Sequence, residues 1–183
     1  MNDASARIGV AWRFADQISL ADTYQLRYAL EGFSARLAAL AASVTEIDWL
    51  TDNVESMKGA LIEGDVDAAA QLDFAFHLRI VGLAGNAAIA DILRGSTEIV
   101  MESQRLPFYQ RELVLSTYHE HLEILDALRR RDGAAAGASM ERHIVLAAQR
   151  AGIHFPIPSA YPSAEGVASR ESAERTGASH VQL

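Results

Sequence analysis

The sequence predicts an all-α fold, an antiparallel helical bundle of about six helices, and three observations carry that expectation. Apolar residues recur at spacings of three and four over long stretches. Capping residues and glycine stops punctuate the chain at short intervals. Alanine is heavily used, and long alternating β-branched runs are missing. A chain of 183 residues, 50% hydrophobic, suits one domain with extensions and a proper core.

The elements follow in order. Residues 1–18 lack clear periodicity and read as a leader or linker. The first helix opens at Ser19 with Asp22 in capping-box spacing, and Leu26, Ala29, Leu30, Phe33, Leu37 and Leu40 mark an amphipathic stripe. In the second, Thr45 is the expected cap, with Asp48 three residues on, and Gly64 is the stop. The third runs from about Val66 to Gly85. Asn86 then caps a fourth that extends through "AAIADILRGSTEIVMESQR" until Pro107 breaks it. A fifth starts after Ser116 and ends at Asp132-Gly133, and the sixth closes at Gly152. From Ile153 three of the four prolines and many small polar residues predict a disordered tail over 153–183, leaving 19–152 as the folded domain.

Composition excludes several functions. The formal charge of −8, with Lys58 as the lone lysine, leaves no basic stripe for a phosphate backbone. The absence of cysteine rules out disulfides and thiolate metal sites. No secretory leader and no membrane-spanning apolar run stand in the sequence, so a cytoplasmic protein without membrane contact is expected.

The chemistry begins in "QLDFAFHLRI". Asp73 and His77 stand one turn apart on a helix whose same side carries Phe74, Ile80 and Val81. A carboxylate turned inward there needs a partner. His121 has Ile124, Leu125 and Leu128 at +3, +4 and +7, and His143 has Met140 at −3 and Leu146 at +3; both face inward. His119 falls about 200° from His121 on the helix and shares its side with Glu123. Glu120 and Glu123 fall on other faces than His121, so no general base accompanies the group. One carboxylate and three imidazoles make a credible shell for zinc, with nickel, manganese or iron as alternatives. The plain alternative is a set of satisfied core histidines. Arg27 stands one turn before Glu31, either in a solvated pair with it or reaching inward to grip a carboxylate ligand. Arg105 carries the same ambiguity.

Together these stretches resemble a known family. "YQLRYALEGFSARLAA", "GDVDAAAQLDFAFHLRIVGLAGN" and "EHLEILDALRRRDGAAAGASMERHI" are similar to the C-terminal effector-binding (FCD) domain of GntR-type transcription regulators of the FadR branch, over about residues 21–148. The resemblance implies a helical bundle, homodimeric, that binds a divalent metal through Asp73, His77, His121 and His143. It further implies a small organic-acid effector held beside the metal with help from Arg27; Asn86, at the family's G-N junction, reads chiefly as a cap and secondarily as an effector contact, with Arg105 as a third candidate. Only about 20 residues precede the matched stretch, too few for the family's winged helix-turn-helix. DNA binding is therefore expected only where such a module is supplied. A metalloenzyme acting on a small acid and a metal-free dimerisation module stand as the alternatives.

Overall fold

The computed structural model describes residues 18–97, 100, 101, 103 and 114–157. Six helices are bounded there and no strand is found among the described residues: α1 Leu20–Ala41, α2 Val44–Glu63, α3 Val66–Leu83, α4 Ala87–Gly95, α5 Val114–Arg129 and α6 Gly133–Arg150. The expected leader, the break at Pro107 and the tail beyond residue 157 lie outside the described residues.

Local chemistry sets the helix ends. Ser19 and Asp22 form the reciprocal capping box at the start of α1. Ser43, rather than Thr45, caps α2, its side chain accepting from the Glu46 amide. Gly64 ends α2 at φ 79°, a left-handed turn that glycine adopts without a Cβ penalty. Asn86 caps α4 by accepting from the Ala88 and Ile89 amides, as the sequence predicts. That helix stops at Gly95, earlier than expected, because Ser96 leaves helical geometry at φ −106°, ψ 19°.

Neighbouring helices run antiparallel. Tyr28 of α1 meets Glu141 of α6 while Arg36 meets Ala134, so numbers rise on one helix as they fall on the other. Glu46 near the start of α2 with Arg79 near the end of α3, and Ser116 with Arg150 beside Glu123 with Arg142, show the same reversal for α2–α3 and α5–α6. The α1–α6 approach depends on glycine: a Cβ on Gly133 would stand 2.7 Å from the Arg36 carbonyl oxygen.

The buried side of α1 differs from the leucine stripe. Leu40 and Phe33 are exposed, at 64% and 48%, while Thr23, Tyr24, Arg27, Glu31, Ser34 and three alanines face inward. The stripe is not the buried side because α1 lends Arg27 and Glu31 to a polar centre, while Tyr24, Ala35, Ala38 and Ala39 join the apolar core and Leu30 packs on the cluster around Val81. Likewise Phe76 is the fully buried phenylalanine of α3, and Phe74 is only partly covered, beside Val81 and Leu93. Past α6, Ile153 and Phe155 still pack on the core, Phe155 stacking on the Tyr24 ring at 6.4 Å, so the start of the expected tail is held.

Candidate metal centre

Four helices enclose the polar centre. Asp73 and His77 come from α3, His121 from α5 and His143 from α6; all four are buried, and one ligand atom from each lies within 4.8 Å of the others. His77 Nε2 is 3.1 Å from His143 Nε2. Asp73 Oδ1 lies 3.1 Å from His121 Nε2 and 3.7 Å from His77 Nε2. Thus the residues singled out on three separate helices by facing alone converge on one point.

Two further carboxylates stand behind the imidazoles. Glu31 of α1, 1% exposed, meets His77 Nδ1 and takes the Arg27 Nε at 2.8 Å. Glu120 of α5 meets His143 Nδ1 at 2.8 Å and is gripped by Arg150 through both terminal nitrogens, at 2.7 and 2.9 Å. The sequence reading placed Glu120 on another face and missed Glu31 and Arg150 as members of the centre. Glu120 is instead inward and 6% exposed. Both its oxygens are engaged, so it is not free to act as a general base. A signal existed: Glu120 shares a stripe with Thr117, Ile124 and Ala127, at −3, +4 and +7, all buried.

Burial alone would raise the carboxyl groups, but their partners win. The Arg27 guanidinium and His77 hold Glu31 down to about 2. His143 and Arg150 do the same for Glu120, also to about 2. Asp73 is held below the usual carboxylate range by the three surrounding imidazoles, despite its desolvation. Desolvation pushes His143 down to about 3 and lowers His121 as well, so both are neutral near pH 7.

These states constrain the centre. An ionised carboxylate only accepts, so Glu31 and Glu120 each take a proton from an imidazole Nδ1. The Nε2 atoms of His77 and His143 then face each other across 3.1 Å, and two lone pairs at that distance need a positive charge between them, a proton or a metal ion. Asp73 Oδ1 and His121 Nε2 are close, but not in hydrogen-bond direction, and neither has a hydrogen-bond partner among the described residues. Buried polar atoms without partners are costly. One oxygen and three imidazole nitrogens, two of them backed by carboxylates, fit a late divalent metal such as zinc.

The remaining candidates fall as follows. Arg27 does pair with Glu31, but buried at 1% exposure rather than in solvent. Its Nη1 donates to Ser103 Oγ at 3.3 Å, and its Nη2 has no partner among the described residues. Asn86 is a cap, its Oδ1 fully used by backbone amides. Arg105 lies outside the described residues. His119 is exposed and bonds its own helix at Leu115 O, as its facing predicts. No helix among the described residues is long and apolar enough to cross a membrane.

Comparison with known proteins agrees with this architecture. Residues 22–146 match the FCD domain model. The chain is 30% identical over 144 residues to the Nta operon transcriptional regulator of Aminobacter aminovorans, covering 76% of this chain and 65% of that protein. It is 27% identical over 125 residues to the HTH-type transcriptional regulator LutR of Bacillus subtilis (strain 168), covering 66% of this chain and 56% of that protein. The chain thus spans less than two thirds of the curated relatives it matches. Among solved structures, a Streptococcus agalactiae GntR superposes with a TM-score of 0.60 at 26% identity, covering 72% of this chain and 58% of that one. E. coli McbR/YncC shares the fold, with a TM-score of 0.57 at 16% identity over 70% of this chain and 69% of that one. Both curated relatives are transcriptional regulators. With the FCD model matching from the first helix to the last, the chain belongs to the FCD domain family, the effector-binding domain of GntR-type regulators of the FadR branch.

Proposed function

We propose that this domain senses a small organic acid at a divalent metal held by Asp73, His77, His121 and His143. The observation that carries the reading is the pair of opposed Nε2 atoms beside the unpartnered Asp73 Oδ1 and His121 Nε2. Zinc suits three imidazoles and one carboxylate best, with nickel, manganese or iron as substitutes. The metal supplies a Lewis-acidic anchor for a carboxylate. Arg27, whose buried Nη2 has no partner among the described residues, is placed to add a charge-assisted hydrogen bond. Asn86 and Arg105 are secondary candidates for effector contact.

Binding would favour one of two arrangements of the bundle and so change the affinity for a partner. That partner is a second copy of the chain, and the exposed apolar residues Phe33 and Leu40 of α1 support a homodimer. DNA contact belongs to a winged-helix module, and the regulators that match this chain support such an arrangement in the cytoplasm.

Elemental analysis of protein purified without chelator, followed by calorimetric titration with small mono- and dicarboxylic acids, tests the reading. We expect about one zinc per chain and acid binding that disappears after metal removal. Unchanged metal content and acid affinity in His77→Ala and His143→Ala would refute it.

A further inference from the structure

The three imidazoles of the centre are not held alike. His77 and His143 each present Nδ1 to a buried carboxylate, and each carboxylate is in turn fixed by a buried arginine on its outer side. The two chains of contact come from different helices: Arg27 and Glu31 lie on α1, whereas Glu120 and Arg150 lie on α5 and α6. His121 has nothing comparable. Its ring stacks on Phe76 at 4.3 Å with planes 14° apart, and neither of its nitrogens has a hydrogen-bond partner among the described residues.

We infer that Glu31 and Glu120 are positioning residues that place the proton of His77 and His143 on Nδ1 and thereby keep both Nε2 lone pairs turned into the centre. The inference rests on the metal-binding reading of the quartet. Its physical basis is that a free neutral histidine in water prefers the proton on Nε2, the nitrogen that must be bare to bind a cation. A carboxylate that accepts at Nδ1 reverses that preference and raises the basicity of the opposite nitrogen. The arginines matter because a carboxylate used this way must stay ionised in a buried site and must not rotate. Arg150 holds Glu120 through two parallel contacts, and Arg27 holds Glu31 through Nε. His121 has no carboxylate at its Nδ1 among the described residues, so nothing there assigns its proton to that nitrogen. It serves as the internal control.

The test uses the metal-free full chain labelled with nitrogen-15 at histidine, and long-range proton–nitrogen spectra that report which ring nitrogen carries the proton. His77 and His143 should show protonated Nδ1. Replacing one Arg–Glu pair by leucines, Arg27→Leu with Glu31→Leu, should move the His77 proton to Nε2 and leave His143 as it was. Arg150→Leu with Glu120→Leu should do the reverse. Swapping a whole buried ion pair for apolar side chains is often neutral for stability, so these chains should fold. Zinc affinity, read by competition with a chromophoric chelator, should fall roughly 10- to 100-fold in each. Glu31→Gln and Glu120→Gln, which keep an accepting oxygen, should retain the proton on Nδ1 and lose less affinity; if a leucine pair fails to fold, the proton positions of the wild-type chain still decide.

Wild-type spectra with the proton of His77 and His143 on Nε2, or proton positions that do not respond to the leucine replacements, overturn the inference, even if zinc binds tightly. Proton positions that respond while wild-type protein takes up no zinc leave the positioning roles standing and overturn the metal reading instead.

Discussion

Helix α3 contributes to two regions built on opposite terms. Its first turns put Ala69 and Ala70 against Met57 and Ala60 of α2, an apolar layer. Within the next two turns the same helix delivers Asp73 and His77 into a centre of buried carboxylates, imidazoles and guanidiniums. The apolar layer is held by area removed from water and by fit, and it tolerates a change of shape better than a change of polarity. The polar centre has the reverse sensitivity: its groups are stable only as a set, because removing one leaves another buried without a partner.

The largest effect should come from splitting a pair in the centre. Glu31→Ala leaves Arg27 charged and buried, and about 3–5 kcal/mol of unfolding free energy should be lost in urea titrations. Loss of less than about 1 kcal/mol would mean that the centre behaves like the apolar layer. Met57→Ala is the matching test of that layer. It should cost about 2–5 kcal/mol by leaving a cavity, while metal content stays at the wild-type level.

Zinc separates the regions more sharply. At a free concentration 100 times its dissociation constant, a ligand specific for the folded state adds about 2.7 kcal/mol, seen as a higher melting temperature. Met57→Ala should gain as much as wild type, and His143→Ala should gain nothing.

Acid gives a smaller, graded effect. His143 is lowered from an ordinary 6.5 to about 3, so below pH 6.5 the unfolded chain takes up a proton that the folded chain refuses. Glu31 and Glu120, lowered from 4.5 to about 2, add to the same trend below pH 4.5. Stability should therefore be full above pH 6.5 and fall as pH drops, by at most about 1.4 kcal/mol per pH unit for each group. A melting temperature flat from pH 7 to 4 would contradict this. Smallest of all, Ser19→Ala removes one cap of α1, far from both regions. It should cost about 1 kcal/mol and leave metal content untouched.

What the sequence discloses of this molecule depends on periodicity. Asp73 with His77, then His121 and His143, were legible because each shares a stripe with apolar neighbours that mark the inward side. Glu31 was hidden because the stripe it belongs to holds Thr23, Arg27, Ser34 and alanines, while the leucines that advertise a buried face stand on the other side of α1. Glu120 was hidden by a different cause. It precedes His121 by one residue, about 100° round the helix, and α5 is enclosed widely enough that both positions are buried. The fold class and most helix ends were readable from caps and glycines; the early end of α4 at Gly95 was not, since "GSTEIV" keeps helical character across the break.

The buried ions of the centre also have a consequence for the charge of whatever binds there. Among the described residues, the buried carboxylates are Asp73, Glu31 and Glu120, and the buried guanidiniums are Arg27 and Arg150. Counted without the imidazoles, the enclosure carries one negative charge in excess. A divalent ion held there would leave one positive charge in excess. An interior of low polarity opposes any net charge, so a loaded site would be balanced by a ligand that delivers one negative charge to it.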